Sequence, residues 1–181
     1  SASTSPFAIR CWYFSMFFML NPPFSDCNKG KLGHVAELEP YGVVSPGIFM
    51  EWLEQDPCIF DLGNWILRTA LTDIKKVRDA LPGCFVNVNV SAAQLERKEF
   101  RQAVMSIIEE TGAHTQELCL ELTERCRDLD VEFLKGEVEF FHSKGIKVAL
   151  DDFGTGNSSL SLALELPFDE LKVDMSFIRD I

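Results

Sequence analysis

Positive charge is scarce in this chain. Seventeen Lys and Arg stand against 28 Asp and Glu in 181 residues, a net charge of −11. A protein that grips the groove of duplex DNA or RNA needs a basic face, so that class is excluded. An anionic ligand would need a local cation, most simply a metal ion. The six cysteines include no CxxC pair, and they read as reduced thiols of a cytoplasmic chain. No apolar run reaches the ~20 residues of a membrane span. The nearest is CWYFSMFFML at residues 11–20. It reads as a buried strand or core segment, or else as the tail of an anchor or a non-native end. The chain opens on Ser-Ala-Ser-Thr-Ser, without Met. A membrane enters only if that segment belongs to an anchor.

What is present suffices for one sizeable core, since 46% of the residues are hydrophobic. Residues 1–20 form an apolar N-terminal segment and 21–181 one α/β domain. Residues 21–46, rich in Pro, Gly, Asn and Lys, read as loop with one short strand. Ser45-Pro46 starts a helix to about Gln55. A second helix is expected from about Asp61 to Leu81, stopped by Pro82-Gly83. CFVNVNV (84–90) alternates: Val86, Val88 and Val90 face one way, Phe85, Asn87 and Asn89 the other. Ser91-Ala-Ala-Gln94 has a capping-box pattern and opens a helix to about Thr111, ended by Gly112. Strands follow at 118–122, 146–150 and 171–173, with helices at about 130–144 and 159–165. Strands alternating with helices mean a parallel sheet with crossover helices.

The ends of these strands carry Asn89, Glu121, the pair Asp151-Asp152, and Lys172. The spacings are 32 residues from Asn89 to Glu121, 30 from Glu121 to Asp151 and 21 from Asp151 to Lys172. Each is about one βα unit. In parallel α/β folds ligands sit at the carboxyl ends of strands, so these side chains converge. Asn, Glu and Asp offer oxygen only, and no His or Cys joins them. That suits Mg²⁺ or Mn²⁺ rather than zinc or copper. Several carboxylates on one surface suit two ions about 3.5–4 Å apart, which clamp a phosphoryl group for attack by water. Lys172 adds a point charge for a phosphate oxygen or the attacking water. Each residue also has a plainer reading: Asp152 as a helix N-cap or Asx-turn, Asn89 bonding its own turn, Glu121 solvated at a strand end, Lys172 in a structural salt bridge with one of the two aspartates.

The segments YGVVSPGIFMEWLEQ (41–55), VNVSAAQL (88–95), LELTE (120–124) and VALDDFGTGNSSLSLALELPFDELKVDMSFI (148–178) resemble the EAL domains, which act on the bacterial second messenger cyclic di-GMP. The resemblance covers roughly residues 20–181. It implies a (β/α)8 TIM-type barrel of the EAL kind. It also implies phosphodiesterase activity: hydrolysis of cyclic di-GMP to linear pGpG with Mg²⁺ or Mn²⁺. By that resemblance Asn89, Glu121, Asp151 and Asp152 bind metal, and Lys172 assists the attacking water. Glu124 holds the loop 153–158. Leu38, Asn89, Asp152 and Lys172 contact substrate. A homodimer, or a sensor or GGDEF domain, is the implied partner.

The chain departs from the family pattern in three places. The stretch Val35-Ala36-Glu37-Leu38 stands where Glu-Ala-Leu is expected. One register puts Ala36 at the glutamate position. A slip of one puts Glu37 there, and such a slip turns a strand side chain to the other face. The arginine that follows that motif in the family has no counterpart before Glu39-Pro40-Tyr41-Gly42. A full barrel needs about 250 residues, so the 181 residues are expected to form one incomplete at the C-terminus. These departures favour a second possibility, a degenerate domain that binds nucleotide or a protein partner and releases no linear product. A receiver-like module is disfavoured, because its acidic pair would lie near the chain start.

Overall fold

The computed structural model describes residues 36–38, 42–44, 53–122, 124–153 and 158–173. The order of elements is β1 (Ala36–Leu38), β2 (Gly42–Val44), α1 (Cys58–Val77), β3 (Val86–Val90), α2 (Ala92–Leu95), α3 (Phe100–Thr111), β4 (Leu118–Leu122), α4 (Val131–Ser143), β5 (Lys147–Phe153), α5 (Ser158–Glu165) and β6 (Glu170–Val173). Short 3-10 turns, Thr115–Glu117 and Glu124–Asp128, flank β4. Strands β3, β4, β5 and β6 pair in that order and all in parallel, as the βα alternation requires. β1 and β2 form a separate antiparallel pair, so the region expected to hold one short strand holds two. The apolar run 11–20 and most of the helix expected from Ser45 lie outside the described residues.

The two faces of the parallel sheet differ, as the alternation in CFVNVNV demands. Val86, Val88 and Val90 join Leu118, Leu120, Leu122, Ile146 and Val148 in the main core, roofed by α1, α3 and α4. The opposite face carries Phe85, Cys119 and Ala149, a small second cluster. It also carries Asn87, Asn89 and Glu121, because side chains two apart on a strand share a face. On β6 the faces are less evenly covered: Leu171 and Val173, paired with Leu150 and Phe153 of β5, are 45% and 52% exposed.

Several boundaries differ from the sequence expectation, each for a local reason. α1 starts at Cys58 rather than near Asp61, because Asp56 Oδ1 accepts a hydrogen bond from the Cys58 N–H at 2.9 Å. It ends at Val77, and the guanidinium of Arg78 turns to Glu117 at 2.7 Å. The single helix expected from Ser91 to Thr111 is two. Leu95 and Phe100 are both buried, yet five residues on one unbroken helix would set them about 140° apart. The break at 96–99 brings both to the core. The capping box is formed: Ser91 Oγ accepts from the Gln94 N–H, and Gln94 Oε1 accepts from the Ser91 N–H. Gly112 and Gly145 end α3 and α4 at φ of 66° and 77°, a region where a Cβ is strained. β5 runs on to Phe153, so Asp151 and Asp152 lie within the strand, and its pairing with β6 is irregular between Leu150 and Phe153.

Candidate active site

Strand register alone places the candidate ligands side by side. Asn89 lies opposite Glu121, and Glu121 opposite Ala149. Asp151 stands two residues beyond Ala149 on the same strand. Lys172 stands two beyond Glu170, which lies opposite Ala149. All four residues are thus at the carboxyl ends of neighbouring parallel strands.

The side chains meet. Lys172 Nζ forms an ion pair with Glu121 Oε1. Asp151 stands close enough for its negative charge to act on the Glu121 carboxyl. Glu121 is only 5% exposed. Burial pushes its carboxyl above the usual range; Lys172 opposes this, and the negative charge of Asp151 adds to it. The lysine is therefore the compensating charge here, as the plainer reading of Lys172 had it, but its partner is the glutamate. Asn89 Oδ1 is buried with no hydrogen-bond partner, as is Asn87 Oδ1 two residues earlier on the same face; of the two, Asn89 lies at the strand end beside Glu121. A buried amide oxygen left without a donor costs about 1–3 kcal/mol, so it calls for one.

A divalent cation fits these donors: an orphan amide oxygen from β3, a carboxylate from β4 and a carboxylate from β5 form an oxygen-only set. Among the described residues no group of three or more His, Cys, Asp and Glu side chains surrounds a cation position. The set rests on two carboxylates and the amide. Asp152 lies in β5 and Glu124 opens the 3-10 turn after β4, but their side chains lie outside the described ones. The same holds for Ala36, Glu37 and Leu38, whose backbone forms β1, with Ala36 opposite Val44 and Glu37 opposite Val43.

Below this layer the inner face turns chemically quiet. Cys119, fully buried, has its thiol pushed up to about 12 by burial and by the neighbouring carboxylates, so it is not a nucleophile. Lys147 Nζ lies 3.9 Å from the centre of the Phe85 ring. Sequence reasoning overlooked the 3-10 turn after β4. Arg125 reaches back to Glu54 from this turn, and Cys126 Sγ lies 3.7 Å from the Val90 carbonyl. Nothing in the local pattern signals either contact, since each joins distant parts of the chain.

The sequence pattern of the EAL domain matches residues 36–181. The chain belongs to the EAL family. The cyclic di-GMP phosphodiesterase PdeR of Escherichia coli strain K12 is 34% identical over 140 residues, covering 77% of this chain and 21% of PdeR. The EAL enzyme Bd1971, solved with cAMP and cyclic di-GMP bound, superposes with a TM-score of 0.74 at 29% identity over 81% of this chain and 41% of that one. The phosphodiesterase PaMucR in complex with cyclic di-GMP gives 0.72 at 29% identity, over 81% of this chain and 60% of its own. The EAL domain described here thus spans about a fifth of the length of PdeR and about half that of the solved relatives. No described helix is long and apolar enough to cross a membrane.

Proposed function

We propose that this EAL domain binds cyclic di-GMP at the carboxyl ends of β3 to β6 and hydrolyses one phosphodiester bond, releasing linear pGpG. The observation that carries this reading is the cluster of Asn89, Glu121, Asp151 and Lys172 on adjacent strand ends, with Asn89 Oδ1 buried and unpaired. Asn89, Glu121 and Asp151 would hold Mg²⁺ or Mn²⁺, with Asp152 beside them. A bound cation supplies Lewis acidity toward the phosphodiester and activates water for in-line attack. The protein's own groups do the rest. Glu121 and Asp151 press two carboxyls together, which favours a cation between them over mutual repulsion. Lys172, held at Glu121, presents an ammonium to a phosphate oxygen or to the attacking water. Leu38 would lie against the substrate, and Glu124 would hold the loop after β5. The reading places the domain, residues 21–181, in the cytoplasm, coupled to a sensor or GGDEF domain or to a second copy.

The second reading is binding without turnover. It is favoured by the sequence Val35-Ala36-Glu37-Leu38, which offers a glutamate only in the shifted register. Incubation with cyclic di-GMP and Mn²⁺, followed by chromatography, separates the two. Steady linear product lost in Asp151→Asn supports hydrolysis. If Glu37→Ala also abolishes it, Glu37 is a working ligand. Calorimetric binding of cyclic di-GMP with no product supports the second reading. An Mn²⁺ affinity unchanged in Asp151→Asn overturns the site itself.

A further inference from the structure

Beyond the ligand set, we infer that the 3-10 turn Glu124–Asp128 is a clamp that fixes the exact positions of the three ligand-bearing strand ends, with Arg125 and Cys126 as its positioning residues. This rests on the reading of Asn89, Glu121 and Asp151 as the cation site. The turn is attached at four points. It follows β4 after Thr123 alone, so its place sets the exit of the strand that carries Glu121. Inward, the Cys126 thiol, 1% exposed, donates to the carbonyl of Val90, the residue after Asn89. Sideways, the turn packs on β5 and α5, the elements on either side of the loop that follows Asp151 and Asp152. Outward, Arg125 forms an ion pair with Glu54, ahead of α1.

Covalent continuity, a buried thiol contact and packing thus reach β4, β3 and β5 respectively. The Arg125–Glu54 pair ties the whole turn to the body of the domain. A thiol is a weak donor, so Cys126 sets position more than it adds stability. The ion pair, with Arg125 56% and Glu54 18% exposed, is of the kind whose loss leaves a fold intact. A small displacement of the turn would change the spacing of Asn89 Oδ1, Glu121 and Asp151, and geometry at a reacting centre is sensitive to shifts of about 1 Å.

The test compares the parent chain with Arg125→Glu, Glu54→Arg, the charge-swapped double variant and Asp151→Asn. Amide hydrogen exchange is read first. Arg125→Glu should speed exchange in 124–130 and 148–153 and leave α3 unchanged, and the charge swap should restore protection. Uniform acceleration, or none, overturns the clamp. Calorimetric Mn²⁺ titration is read second. Arg125→Glu should weaken binding about two- to fivefold, the range an exposed ion pair supports, with recovery in the swap. Local loosening with unchanged Mn²⁺ affinity, while Asp151→Asn loses it, overturns the positioning role. Failure of the parent chain to bind Mn²⁺ overturns the reading of the cation site instead, and the clamp then stands or falls on the exchange pattern.

Discussion

Gly63→Ala is the most informative single substitution for the fold. In the middle of a helix Ala is ordinarily favoured over Gly by about 1 kcal/mol. Here a Cβ at Gly63 would stand 1.7 Å from Gln94 Nε2 and 2.7 Å from its Cδ. Gln94 is only 5% exposed and has no free place to go. Its Oε1 accepts from the Ser91 N–H at 3.2 Å and lies 3.0 Å from Ser91 Oγ, closing the capping box of α2. Displacing it gives up two hydrogen bonds worth about 0.5–1.5 kcal/mol each and leaves a buried N–H unpaired. Overpacking of this kind costs about 1–3 kcal/mol by itself. After the propensity gain is set against these, a net loss of about 1–5 kcal/mol remains. At about 2–4 °C per kcal/mol for a chain of this size, Tm falls by about 2–20 °C. Thermal and urea melting measure it. Gly63→Ala combined with Gln94→Ala should lose less than the two single losses added, because the clash is gone once Gln94 is truncated. A Gly63→Ala protein that melts at or above the parent refutes the argument.

Two further outcomes follow from the exposed edge and the buried carboxylate. Glu121 has its carboxyl raised by burial, so its contribution to stability is present below the ordinary carboxylate range and is lost as pH rises through the raised value. Glu121→Gln should therefore raise the Tm of the metal-free chain at pH 7, by about 2–4 °C for each kcal/mol relieved, with the gap closing toward pH 4 and Mn²⁺ no longer stabilising the variant. Leu171 and Val173 leave apolar surface open on β6, an edge of the described sheet. Light scattering should show self-association that falls when both are replaced by Lys, and a monodisperse monomer at high concentration would refute this.

What the sequence determined by itself was everything set by short-range chemistry. Alternation in CFVNVNV assigned Asn89 to the face opposite the valines. Glycine at 112 and 145 and the Ser91–Gln94 box marked helix ends, and the βα spacing brought Asn89, Glu121, Asp151 and Lys172 to one surface. Those features depend on backbone period and on turn residues, which act over a few positions. The tertiary structure alone decided the rest. It broke the helix after Leu95, because Leu95 and Phe100 must both reach the core. It drew β5 out to Phe153 by pairing it with β6. It set Lys172 on Glu121. It also joined Arg125 to Glu54 across 71 residues and Cys126 to Val90 across 36. Such contacts are chosen by which surfaces pack and which charges lose their water, and that competition is global. No local pattern in the chain records its outcome.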